Sequence, residues 1–191
     1  MKEYAFGIDL GGTTAKVGLF TTSGALLEKW EVPTDTSNAG EHILENLADA
    51  IHAKMVEKEI PSEQVEGVGI GVPGPVLDSR IVPIICANLG GWGERNVSAQ
   101  LSGLLDGMKV LVGNDANVAA LGEIWMGTAK GCRSAVMVTP AKLPTMKPVA
   151  PTTSSGNSMV RTSIPADNIL LTATPANTKV IRDAPVFAAK A

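Results

Sequence analysis

FGIDLGGTTAKVGL, residues 6–19, decides how the rest of the chain is read. Residues 3–10 and 14–20 flank a Gly11-Gly12 turn and predict a β-hairpin. The two glycines let the backbone turn tightly and let a ligand approach the N–H groups. Successive N–H groups in such a turn can form an anion-binding nest. Thr13 and Thr14 add hydroxyls, Lys16 adds a positive charge, and Asp9 stands at a strand end, where a carboxylate can hold a magnesium-bound water. Together these residues suit the phosphate chain of a nucleotide. The competing reading is an ordinary glycine hairpin turn with solvated threonines.

Outward from the hairpin, residues 25–32 predict a third strand after the TTSG turn. Ile43, Leu47, Ile51 and Met55 recur at helical spacing, with Leu44 and Ala48 beside them. Asn38 followed by Glu41 predicts the cap of that helix. Residues 65–72 form a glycine-rich apolar strand, 97–105 a helix, 108–113 a strand, and NDANVAALGEIWMG a helix that begins at Asn114 and Asp115. Val118, Leu121 and Trp125 are expected on one face of that last helix. Residues 133–139 predict one more strand. The order βββαβαβα, then β, points to an α/β fold: a mixed sheet with flanking helices.

Three further segments carry chemistry. Gly69, Gly71 and Gly74 satisfy G-x-G-x-x-G, but Pro73 and Pro75 interrupt where a dinucleotide site would have to open a helix. The segment reads instead as a buried strand whose end turns into a binding loop. Asp115 is either a helix cap or a base that takes the proton of a substrate hydroxyl attacking phosphorus. Asn114 would exchange hydrogen bonds with neighbouring hydroxyls. Asn88, in NLGGW, is either a turn residue or a group that reads a hydroxylated ligand. His42 and His52 read as solvated helix residues, and no metal-ligand spacing occurs.

Composition changes abruptly after Thr139. The first 139 residues hold 17 acidic and 10 basic residues, while the last 52 hold 2 and 6. The last part also has no Glu, one glycine (Gly156), and 7 of the 12 prolines. It is Pro/Thr/Ala-rich, with little material for a core. The chain as a whole is mildly acidic, with net charge -3. That argues against nucleic acid as a partner. No apolar run has the length of a membrane span, and the N-terminus does not read as a signal peptide. Cys86 and Cys132 read as two buried thiols in a reducing cytosol.

Taken in order, FGIDLGGTTAKVGL, GIGVPGPV, NLGGW and VLVGNDANVAALGE resemble the N-terminal half of a ROK-family bacterial glucokinase, an actin-like sugar kinase, over roughly residues 4–139. The resemblance implies an actin-like ATPase (ribonuclease H-like) lobe over residues 1–132, the first strand of a truncated second lobe at 133–139, and an irregular tail at 140–191. It implies ATP-dependent phosphorylation of glucose at the 6-hydroxyl, with Mg²⁺, in a cytoplasmic enzyme. Kinases for another hexose (fructose, N-acetylmannosamine), or a non-catalytic sugar-binding relic, are the alternatives. Asp9, Gly11, Gly12, Thr13, Thr14 and Lys16 then correspond to the first phosphate-binding loop, with Asp9 on the metal. Gly74, Asn88 and Asn114 correspond to sugar contacts, and Asp115 to the base. The intact family implies a homodimer. The family's second glycine-rich phosphate loop, its Glu-Ile-Gly-His segment and its zinc cysteines have no counterpart here. Pro140 stands where that second loop would begin. The expectation is therefore an aberrant or out-of-frame continuation and weak or absent activity.

Overall fold

The computed structural model describes residues 1–82, 85–137 and 178–181. The composition seam at residues 139–140, and all of the tail except 178–181, lie outside the described residues.

All nine expected elements are present. Strands β1 (Tyr4–Leu10), β2 (Thr14–Thr21) and β3 (Leu26–Pro33) precede helix α1 (Ile43–Glu57), strand β4 (Val65–Val72), helix α2 (Val97–Leu104), strand β7 (Val110–Asn114) and helix α3 (Asp115–Trp125). Between β4 and α2 lie two two-residue strands, β5 (Ile81–Val82) and β6 (Arg95–Asn96), paired antiparallel. Strand β8 (Ser134–Met137) falls where the last strand is expected, and it pairs in parallel with β9 (Thr178–Ile181).

The main sheet has the order β3-β2-β1-β4-β7. β1, β2 and β3 run as an antiparallel meander, and β4 and β7 join β1 in parallel. A parallel neighbour needs a crossover, and α1 and α2 provide the two crossovers. Side chains alternate across a strand. β1 therefore sends Phe6, Ile8 and Leu10 into the core, while Asp9 points to the other face. α1 meets that core with Ile43, Leu44, Leu47, Ala48, Ile51 and Met55, all buried. Full burial of one such side chain contributes about 1.5–3 kcal/mol. That sum, more than local propensity, holds a helix of 15 residues in place. Lys54 ties α1 to β3: its Nζ donates to Glu28 Oε1 at 2.6 Å and lies 5.0 Å from the Trp30 ring centroid.

Three expectations are corrected. Asn38 does not cap α1. The chain first reverses through Asn38 and Ala39, both with positive φ, and the helix starts after His42 without a side-chain cap bond. The reversal seats Gly40 beside the Leu89 carbonyl and Trp92, so tertiary packing overrides the local signal. On α3, Leu121 is exposed and Ala119 is the buried residue. Val118 and Leu121 border an open cavity of about 470 Å³ with Ile70, Val76 and Val112, which is why they are not in a closed core. Cys86 is buried as expected, but Cys132 is only half-buried.

Candidate functional site

The sequence-predicted residues gather at one end of the sheet. Asp9 is the penultimate residue of β1, and its lateral partners are Lys16 on β2 and Gly71 on β4. Partners in register project from the same face. A Cβ on Gly71 would lie 3.5 Å from the Asp115 Cα, so the same face receives the start of α3. Gly71 thus serves close packing of α3, whereas Gly67 on the same strand meets the Lys109 backbone. Asp9 and Asp115 consequently share a site and repel each other. Burial is the largest cause that raises the Asp9 pKa above its ordinary value; Lys16 opposes it and Asp115 adds to it.

The strand ends leave the functional groups in defined positions. Asn114 closes β7 opposite Val72 and caps α3, its Oδ1 accepting from the Asn117 N–H at 3.2 Å. Its Nδ2 donates to the Gly74 carbonyl at 2.9 Å and to Asp115 Oδ1 at 3.0 Å. A backbone donor on one side and a carbonyl and a carboxylate on the other leave one sensible orientation of this amide. Both amide protons are engaged, so toward a ligand Asn114 has only a remaining Oδ1 lone pair. Asp115 Oδ1 also accepts from the Ala116 N–H at 2.7 Å. Among the described residues nothing donates to Asp115 Oδ2. One carboxylate oxygen is anchored and the other is left open.

Gly74 turns the chain after β4 with φ +90°, a conformation that favours glycine. The preceding carbonyl, that of Pro73, accepts from the Cys86 thiol at 3.3 Å. Burial raises the pKa of this thiol, so it acts as a packed, protonated donor. The Gly74 loop is thereby held from two sides.

The Gly11–Thr13 turn lies against the NLGGW loop. A Cβ on Gly12 would sit 2.5 Å from the Asn88 carbonyl oxygen. Leu89 and Trp92 are fully buried, and Asn88 stays exposed beside the turn. The loop is folded by bonds from the Leu89 and Gly91 N–H groups to the Cys86 carbonyl and from the Cys86 N–H to the Trp92 carbonyl. Thr13 and Lys16 are exposed and Thr14 half-exposed. Among the described residues no group accepts from the N–H of Gly12 or Thr13, so both donors remain for a ligand.

One residue at this turn escaped the sequence reading. Thr34, directly after β3, donates its hydroxyl to the Gly11 carbonyl at 2.8 Å and its N–H to the Thr13 carbonyl at 2.9 Å. Its partners lie more than twenty residues earlier, beyond any local pattern. The two histidines stand apart from the site. His42 pairs with Glu45, which raises its pKa, and His52 Nε2 lies 3.5 Å from Asp106. Among the described residues no group of three His, Cys, Asp or Glu can hold a metal ion, and no helix is long and apolar enough to cross a membrane.

The Asp9 environment makes a testable statement. A carboxylate with a raised folded-state pKa weakens the fold as pH rises, because the folded state then binds its proton more tightly than the unfolded chain does. Its penalty is absent below the ordinary aspartate pKa and complete above the raised one. Asp9→Asn should therefore raise the melting temperature by a few degrees at pH 7. The gain should vanish as the pH falls through the aspartate range. Thermal melts of both proteins from pH 3.5 to 8 measure this; a lower melting temperature for the variant at pH 7 contradicts it.

The ROK family profile matches residues 5–141. A glucokinase of Halalkalibacterium halodurans is 34% identical over 134 residues, covering 70% of this chain and 40% of the relative. An N-acetylgalactosamine kinase of a Shewanella species is 32% identical, covering 66% of this chain and 38% of its own length. Among solved structures, a ROK family glucokinase of Streptomyces griseus in complex with glucose and AMPPNP superposes with TM-score 0.58 at 30% identity, over 73% of this chain and 42% of that one. The chain thus spans about 40% of the length of the curated relatives it matches. The lobe has the actin-like ATPase fold of these sugar kinases, as the resemblance implied.

Proposed function

We propose, from the premise that this chain belongs to the ROK family, that it is the nucleotide- and sugar-binding lobe of an ATP-dependent hexose kinase acting on the 6-hydroxyl of glucose. The observation that carries the reading is the juxtaposition of Asp9, the open Gly12 and Thr13 N–H groups, and Asp115 with one anchored and one free oxygen. Asp115 Oδ2 takes the proton of the sugar hydroxyl as that oxygen bonds to the terminal phosphorus and the bond to ADP breaks. Asn114 and the Gly74 loop hold Asp115 in place, and Asn114 Oδ1 and Asn88 meet sugar hydroxyls. The Gly11–Thr14 turn and Lys16 receive the phosphate chain.

The donor set fits Mg²⁺. Asp9 is the oxygen ligand, directly or through a water, and a hard cation beside it would offset its repulsion by Asp115. Bound there with ATP, magnesium would neutralise charge on the phosphates. The glucokinase relatives favour glucose, and the N-acetylgalactosamine kinase keeps acetamido hexoses as the second reading.

The test is a chimera. Residues 1–137 of this chain would be joined to the remaining part of the H. halodurans glucokinase and offered ATP with glucose, fructose, N-acetylmannosamine or N-acetylgalactosamine. Glucose-dependent ADP release, highest on glucose, is the expected result. A folded chimera that phosphorylates none of these sugars overturns the kinase reading, and preference for an acetamido sugar overturns the assignment to glucose.

A further inference from the structure

We infer that Thr34 is a positioning residue for the phosphate-binding turn, a role that rests on the kinase reading above. A trans peptide unit directs its carbonyl and its N–H in opposite directions. The Gly11 carbonyl is held by the Thr34 hydroxyl at 2.8 Å, so the Gly12 N–H, in the same peptide unit, is turned away from Thr34. The Thr13 carbonyl is held by the Thr34 N–H at 2.9 Å, which turns the Thr14 N–H the same way. Two bonds from one residue thus orient two peptide units of one turn, and they do so before any ligand arrives. A turn of two glycines otherwise has more backbone freedom than any other dipeptide, and ordering it would cost binding free energy.

The rest of the surroundings agree with that role. Thr34 is itself anchored by its place after β3, whose Pro33 is the lateral partner of Thr14. From the other side, the Asn88 carbonyl closes on Gly12. The turn is therefore clamped between β3 and the NLGGW loop, with its free N–H groups as the remaining outlet. The ligand chemistry that fits is a polyphosphate chain, supplied either by a nucleoside triphosphate or by inorganic polyphosphate.

The experiment uses the 191-residue chain, isotopically labelled, with backbone amide spectra recorded during titration. Tripolyphosphate and MgATP are the two probes. In the unsubstituted chain the Gly12 and Thr13 cross-peaks should move with both. Movement with MgATP alone assigns the site to nucleotide, and movement with tripolyphosphate alone assigns it to inorganic polyphosphate. Thr34→Val keeps the branched shape and the N–H but deletes the hydroxyl. It should weaken binding about fivefold, the worth of one modest hydrogen bond, while the cross-peaks of β1 stay in place. Thr34→Ser should restore binding to within about twofold. Thr34→Ala gives a second hydroxyl-free variant should the valine protein fail to fold. Equal affinity in a hydroxyl-free variant, or failure of serine to restore it, overturns the role of Thr34 and leaves the kinase reading intact. If neither probe moves Gly12 or Thr13 in the unsubstituted chain, the turn is not a phosphate site, and the kinase reading fails with the inference.

Discussion

Asp115→Asn should lower hexose-dependent phosphoryl transfer by about a hundred- to ten-thousandfold, the span associated with removing a positioned general base. The substitution is well suited to the site. Asparagine can keep its Oδ1 on the Ala116 N–H and the Asn114 amide, bonds of 2.7 and 3.0 Å in the parent. What it loses is the basicity of the free oxygen. The loss should therefore fall on kcat rather than KM, and the melting temperature should not drop, because the repulsion between Asp9 and Asp115 is relieved. The measurement is ADP release by the chimera described above, with and without the substitution. A variant that keeps more than a tenth of the parental kcat would show that no proton passes to Asp115.

The second large effect concerns stability. Trp92→Ala should cost about 3–5 kcal/mol, the usual range for deleting a buried aromatic side chain. That is a large share of the roughly 5–15 kcal/mol by which a domain is stable. Trp92 is fully buried, the Arg95 guanidinium lies 4.6 Å from its ring centroid, and Gly40 packs against its Cδ1. Its indole N–H is buried without a partner among the described residues, so packing rather than a polar contact holds it. Trp92→Phe should accordingly cost much less than Trp92→Ala. Chemical denaturation of the three proteins measures both differences. Equal losses for Phe and Ala would mean that the N–H, not the ring, matters. Because Leu89 and Trp92 anchor the loop that presents Asn88 and flanks Gly12, the alanine variant should also loosen the Gly11–Thr13 turn.

Function and stability meet at the same few residues. Asp9 is kept as a half-buried carboxylate facing a second carboxylate, an arrangement that the ligand-free fold does not favour. Its proposed partner is a cation, and the expected gain in stability for Asp9→Asn expresses that conflict. The Asn114 side chain shows the opposite economy, since one amide caps α3, ties down the Gly74 loop and orients Asp115.

The sequence alone determined the strands on either side of Gly11-Gly12, the stripe of α1, the start of α3 at Asn114 and Asp115 and the family, because each is written in short runs of residues; which of the two caps α3 was decided by the structure, where Asn114 rather than Asp115 is the cap. Turn glycines, helical periodicity and an Asn before a helix act through local backbone geometry, which neighbouring residues set. Only the tertiary structure decided how these pieces meet. The start of α1 moved past Asn38 because Gly40 must reach Leu89 and Trp92, some fifty residues later. Leu121 stayed exposed because helical spacing specifies a face but not what covers it. Thr34 entered the site through the β2–β3 pairing, and Asp9 met Asp115 only because β4 brings a glycine between them. Such contacts join distant parts of the chain, and their geometry is a property of the packed sheet rather than of any segment within it.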